Sequence, residues 1–236
     1  VKYPVPLVLQ KDPYEIAYWH YSCKEYEGCI TWIDKIPEDH ERYPAALHLK
    51  AICSAIDAER HTSIKERLTG INEAIECIDK AIDLDGLKNQ YSLTKAHLYN
   101  RIGFYHETKP EFYKKARDIL IPVLGNEPHS IAAITEYGIS LMGMSNSFEA
   151  MKIFQLLQFL DPKEIDAGAL WAKALLLYHY SVKRKGNLGE RERKTLRKFL
   201  DKAKLLDKNN PLYDTLEEKM GSEFSVFLNE SMGENP

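Results

Sequence analysis

The sequence predicts an all-α chain of stacked helix pairs, a solenoid of about five pairs closed by a terminal helix. Three observations predict it. Apolar residues recur at helical spacing almost everywhere, and no convincing stretch alternates with period two. The helical stretches run to roughly 12–18 residues, with Pro, Asn and Asp between them. Only 12 glycines stand beside 14 tyrosines in 236 residues, so few turns that demand glycine are available.

The elements follow in order. Residues 1–11 hold two prolines among aliphatics and read as an extended segment lying against the first pair. The repeat region is assigned to 12–210. Asp12 as N-cap and Pro13 at the first position open the first helix, and its partner runs from Tyr26 to Ile36. The second pair spans Tyr43–Ala58 and Asn72–Leu84, and the third Ser92–His106 and Glu111–Leu124. The fourth covers Ser130–Gly143 and Phe148–Leu160, and the fifth Ile165–Val182 and Glu190–Leu206. Pro37–Glu38–Asp39, Leu84–Asp85–Gly86, Gly125 to Pro128, Asp161–Pro162 and Asn209–Asn210–Pro211 stop one helix and launch the next. A capping helix is placed at 211–230 and a tail at 231–236. The chain opens at Val1 with no signal peptide, which reads as a trimmed chain or a piece of something longer.

Helices joined this way make either a closed bundle or a solenoid, and internal repetition separates the two. The second helices share a small or apolar position at Cys29, Ala74, Ala116, Ala150 and Leu196. Four residues later stand Ile33, Ile78, Leu120, Phe154 and Leu200, then Ile36, Ala81, Val123, Leu157 and Ala203. Steps of four and three keep all three positions on one helix face. The first helices carry a second pattern, clearest in Ile134, Tyr137, Gly138 and Leu141. Tyr99, Ile102, Gly103 and His106 match it; Leu49, Ile52, Cys53 and Ile56 use cysteine as the small residue.

On these residues the chain resembles the tetratricopeptide repeat family from about Asp12 to Lys208. The best-matching units are Ile134 to Pro162 and Tyr99 to Pro128. The resemblance implies a right-handed α–α superhelix with a concave face lined by first helices, which holds a protein or peptide segment. Departures are visible. The small positions lie 45, 42, 34 and 46 residues apart, and the family repeats at about 34. The extra length is assigned to Arg60–Thr69, the loop after Asp85, and Lys183–Gly189.

Transferring the family's lining positions gives Tyr14, Tyr18 and Tyr21 from the first pair. The second pair contributes Lys50 and Ser54, with Leu47 and Asp57. The third contributes Asn100, Arg101, Phe104 and Glu107, with His97. The later pairs contribute Thr135, Ile139, Lys173 and His179, with Ala132, Glu136, Met142, Ala169, Leu176 and Tyr180. The tyrosine stripe suits a peptide anchor, because tyrosine offers apolar area at low entropic cost. Packing on the N-terminal segment or a neighbouring helix is its alternative role. The carboxylate-clamp subclass of the family fits poorly, since Tyr14 and Tyr18 stand where it needs Lys and Asn.

Charge is uneven. Residues 183–208 carry net +7, against net −10 for the remainder. Lys183, Arg184, Lys185, Arg191, Arg193, Lys194, Arg197 and Lys198 form a basic patch suited to an acidic protein surface. A solvated outer helix face is the simpler reading of the same residues.

A net charge of −3 and no aromatics interleaved with the basic run argue against a nucleic-acid partner. No apolar run is long enough for membrane insertion. The four cysteines form no CxxC and read as free thiols in a reducing, cytoplasmic setting. His20 and Cys23 alone make no metal site, and no phosphate loop or hydrolase motif implies a cofactor or catalysis. The expected role is a protein–protein adaptor or assembly subunit, not an enzyme. The alternatives are an accessory subunit of a larger enzyme complex docking through the basic patch, or a groove in which His97, Glu107 and His179 converge.

Overall fold

The computed structural model describes residues 12–106, 109–161, 163–185, 189–207, 213–214 and 216–217, with backbone alone at 147 and 179–185. Ten helices and no strand occur among the described residues. They are α1 (Pro13–Ser22), α2 (Tyr26–Ile33), α3 (Tyr43–Ala58), α4 (Ile64–Asp85) and α5 (Asn89–Tyr105). The chain continues with α6 (Pro110–Asn126), α7 (Ile131–Gly143), α8 (Ser147–Leu160), α9 (Ala167–Lys185) and α10 (Glu190–Leu206). These are the five expected pairs. The chain divides into two compact units, Val1–Val123 and Leu124–Pro236.

In the first unit α1 packs on α2, α2 on α3, α3 on α4 and α4 on α5. The first helices α1, α3 and α5 also touch in succession, so each pair stacks on the next. In the second unit α7 packs on α8 and α9 on α10, with α9 against both α7 and α8. The repeat positions explain this stacking. All fifteen residues at the three shared positions of the second helices are buried. Burying such side chains stabilises by roughly 1.5–3 kcal/mol for each large aliphatic, and most second helices align their apolar faces through them. Gly103 and Gly138 hold the small first-helix position. A Cβ on Gly103 would meet the Tyr113 ring at 2.7 Å, and one on Gly138 would meet Ile153 at the same distance. Paired helices therefore approach closely where the repeat requires it.

Helix ends follow from local chemistry. Asp12 caps α1 by accepting a hydrogen bond from the Tyr14 amide at 2.8 Å. Ser130 caps α7 through the Ala133 amide. Lys24 and Ser145 take positive φ just past α1 and α7, and the next amides bond back to the carbonyls of His20 and Leu141. That is the left-handed helix ending more often given to glycine. Gly86, at φ +78, ends α4.

Several boundaries differ from expectation by two or three residues, among them α5, which starts at Asn89 instead of Ser92, and α9, which covers Ala167–Lys185 instead of Ile165–Val182; two others have a plain physical reason. Helix α2 stops at Ile33, yet Ile36 stays buried because a turn returns its amide to the Ile33 carbonyl. Helix α4 begins at Ile64, not Asn72, so most of the presumed Arg60–Thr69 insertion is helix. Lys, Glu and Arg at its start are good helix formers. Gly70 lets this added length lie on the end of α3, where its Cβ would meet Ala58 at 2.7 Å. Of the expected capping helix, Tyr213, Asp214, Leu216 and Glu217 are described as helical, with Tyr213 and Leu216 buried. The rest of 208–236, and the N-terminal segment 1–11, lie outside the described residues.

Candidate functional site

Helix α1 sets Tyr14, Tyr18 and Tyr21 on one stripe by their spacing of four and three. Their ring centroids stand 6.5 and 6.1 Å apart, and Tyr26 at the start of α2 continues the row 6.2 Å beyond Tyr21. Cations close both ends: the Arg42 guanidinium lies 5.4 Å from the Tyr14 ring centre and that of Arg60 lies 5.1 Å from Tyr26. Arg42 is held in turn by Glu15 and by Asp12 at 3.6 Å. Tyr14, Tyr21 and Tyr26 lean on the core of Ala17, Cys29, Ile33 and Cys53. Burial raises the Tyr14 and Tyr21 hydroxyl pKa values, so both stay neutral donors. Tyr18 is 50% exposed, the open rung of the ladder.

Behind the ladder, His20 is buried and its Nδ1 pairs with Glu25 at 2.7 Å. This pair ties α1 to the entry of α2, and Cys23 is no part of it. Cys29 and Cys53 are fully buried free thiols that share a hydrogen bond; that hydrogen bond, with burial, pushes the Cys53 thiol far above its ordinary range. Both behave as small apolar residues. No group of three or more His, Cys, Asp or Glu able to hold a metal ion occurs among the described residues.

On α3, Lys50 is half-buried and hydrogen-bonds Asp34 at 2.6 Å. Burial works against its charge, but Asp34 holds the ammonium pKa above the usual value. Ser54 is half-buried on the same helix. Several of the remaining lining positions move inward, whereas Asp57 and His97 stay half-buried. Asn100, Arg101 and Phe104 are buried in α5, and Arg101 Nε lies 3.4 Å from His97 Nε2. Thr135 and Ile139 are buried in α7, and Lys173 in α9 is 0% exposed. These six side chains have little or no surface to offer a partner, which corrects their reading as an open lining. The family positions mark where a helix faces its neighbours, but the bulk of those neighbours decides whether the position stays open. Glu107 and the His179 side chain lie outside the described residues, and with them the supposed convergence on His97.

Two polar arrangements carry no sequence signal. Lys173 Nζ stands 3.9 Å from Asp161 Oδ2 and 3.5 Å from the Asp161 carbonyl, at the end of α8, with both side chains buried. The Tyr105 hydroxyl donates to Glu59, a nearly buried carboxylate at the end of α3. Burial first, then Glu59, push the Tyr105 pKa far up. Its partner is 46 residues away in sequence, beyond any local pattern.

The basic patch is open along α10. Arg191, Lys194, Arg197 and Lys198 are exposed, and Arg193 is half-buried. Lys194 pairs with Glu190 at 2.8 Å, one turn earlier. The side chains of Lys183, Arg184 and Lys185 lie outside the described residues. No helix among the described residues is long and apolar enough to cross a membrane.

No protein-family model and no curated protein sequence matches the chain. Solved structures do. A residue 41-to-end form of MamA from Desulfovibrio magneticus RS-1 is 16% identical, with a TM-score of 0.53, covering 83% of this chain and 93% of that one. A double mutant of MamA RS-1 aligns with a TM-score of 0.52 at 16% identity, over 82% and 91% of the two chains. YrrB, described as a TPR protein with an unusual peptide-binding site, is 16% identical with a TM-score of 0.50, over 89% and 93%. The fold is a TPR-like helical repeat, as the repeat positions imply.

Proposed function

We propose that this chain is a protein-interaction module that holds a partner's segment against the first-helix face of its N-terminal unit. The observation that carries the reading is the tyrosine ladder of α1, anchored in the core, closed by Arg42 and Arg60, and opening to solvent at Tyr18. Rigid half-buried aromatics lose little entropy on contact and bury much area, the profile of an interface anchor. Lys50 on adjacent α3 is tied to Asp34 past the end of α2, on the side toward the second helices, and serves as the comparison position. The peptide-binding site named for YrrB, a protein of the same fold, is in keeping with this role. Free thiols suit a reducing compartment, the setting proposed for the chain.

The test is affinity capture from the native cell, quantified for wild type, Tyr18→Ala and Lys50→Ala. Phe104 is buried, so its truncation would report on folding instead. Loss of a specific partner in Tyr18→Ala, with an unchanged circular dichroism spectrum, is expected. Retention of every specific partner by both variants would overturn the reading. The open basic row on α10 favours a second reading, docking onto an acidic neighbour as an accessory subunit. Such binding falls steeply with salt and on Arg197→Glu; a salt-independent complex would refute it.

A further inference from the structure

Helix α8 turns Ala150, Phe154 and Leu157 inward, and Phe154 packs edge-on against Phe199 of α10. Its opposite face is apolar too. Phe148 is 71% exposed and Phe159 80%, with Leu156 at 39% on the flank. Phe148, Lys152, Gln155 and Phe159 fall within a narrow stripe, since steps of four, three and four keep returning to one side of a helix. Lys152 lies 4.5 Å from the Phe148 ring centre and pairs with Glu149 at 2.9 Å, which orders that end of the stripe. Among the described residues of the second unit nothing covers these two phenylalanines, so this face is suited to an apolar contact.

We propose that α8 is the seat of a weak two-fold homodimer, packed antiparallel against α8 of a second copy. The stripe commits to that occupant by its symmetry. The spacing of four, three and four reads the same in both directions, with phenylalanine at each end and polar residues between. Antiparallel packing sets Phe148 on Phe159 of the second copy, Lys152 on its Gln155 and Leu156 on its Met151. Glu149 meets Gln158 of the copy, so no like charges oppose. Parallel packing would set Lys152 on Lys152 and Glu149 on Glu149. A contact of this kind is isologous and closes on itself. The two phenylalanines hold on the order of 150 Å² each to bury. With Leu156, Met151 and the central polar pair, both copies together lose roughly 1,000 Å², short of the ~1,200 Å² at which stable specific interfaces begin and in the range of weak, transient ones. The dimer is therefore weak and forms with rising concentration.

Sedimentation equilibrium of the full chain from about 1 μM to about 1 mM spans the affinity such a contact supports. Wild type is expected to rise from 27.2 kDa toward twice that mass. Phe148→Lys or Phe159→Glu alone should weaken association about 30-fold or more, as loss of a central aromatic anchor does. Both positions are exposed, so far-ultraviolet circular dichroism should not change. In the double variant Phe148→Lys/Phe159→Glu, antiparallel packing opposes the new charges at both ends. Association returns at low salt and fades at high salt. Wild type that stays monomeric throughout overturns the proposal. A single variant that associates as wild type does, or a double variant no tighter than the singles, overturns it equally.

Discussion

Gly103→Ala tests the close helix approach on which the stacking of the third pair depends. If room existed, alanine would stabilise α5, because an interior helical glycine costs roughly 0.5–1 kcal/mol relative to alanine. Room does not exist. A Cβ there would stand 2.7, 2.8 and 2.9 Å from Cε2, Cζ and Cδ2 of Tyr113. Those atoms belong to a rigid ring, itself buried, so relief requires moving α6. Overpacking of this kind costs typically about 1–3 kcal/mol. The net expectation is a loss of about 1 kcal/mol, within a span of about 0–2.5 kcal/mol, the overpacking less the propensity gain. With a slope of about 2 kcal/mol/M, a loss of about 1 kcal/mol lowers a urea midpoint by roughly 0.5 M. Gly125, with nothing within 4 Å of its Cβ, is the control; alanine there should be neutral or stabilising. In a Tyr113→Leu background the ring is gone, and Gly103→Ala should lose its penalty. A raised midpoint for Gly103→Ala in wild type, or the same loss in both backgrounds, would refute the close approach as the reason for glycine.

Two further outcomes are expected. Lys173→Ala strands Asp161 as a buried charge and should cost about 3–5 kcal/mol. Lys173→Met with Asp161→Asn removes both charges and should cost far less, and equal losses in urea denaturation would contradict an interacting pair. His48 is largely buried, bonded to Thr94 at 2.8 Å, and burial lowers its pKa. The unfolded chain therefore binds the proton more readily, so this contribution is intact above an ordinary histidine pKa of about 6.5 and is lost as pH falls toward the folded pKa. Wild type should lose more of its urea midpoint than His48→Phe between about pH 7.5 and pH 5.5; identical pH profiles would count against it.

Much of the fold was legible because it rests on local rules. The small–bulky–apolar face from Cys29 to Ala203 is buried throughout, and Tyr43–Ala58 and Glu190–Leu206 match their expected bounds. The start of α4 was legible only in part: Lys65, Glu66 and Arg67 are good helix formers, but polarity and Gly70 hide a packing face that the surface of α3 supplies. The site divides the same way. Spacing alone aligns Tyr14, Tyr18 and Tyr21, but Tyr26, Arg42 and Arg60 join the ladder across turns and helices.

Periodicity, caps and turn residues are properties of the chain over a few turns, and they suffice to specify a TPR-like succession of five helix pairs. Exposure is a property of neighbours distant in sequence. Only the tertiary structure could leave Tyr18 open, bury Lys173 against Asp161, and turn Phe148 and Phe159 outward, because each depends on which helix stands across from it.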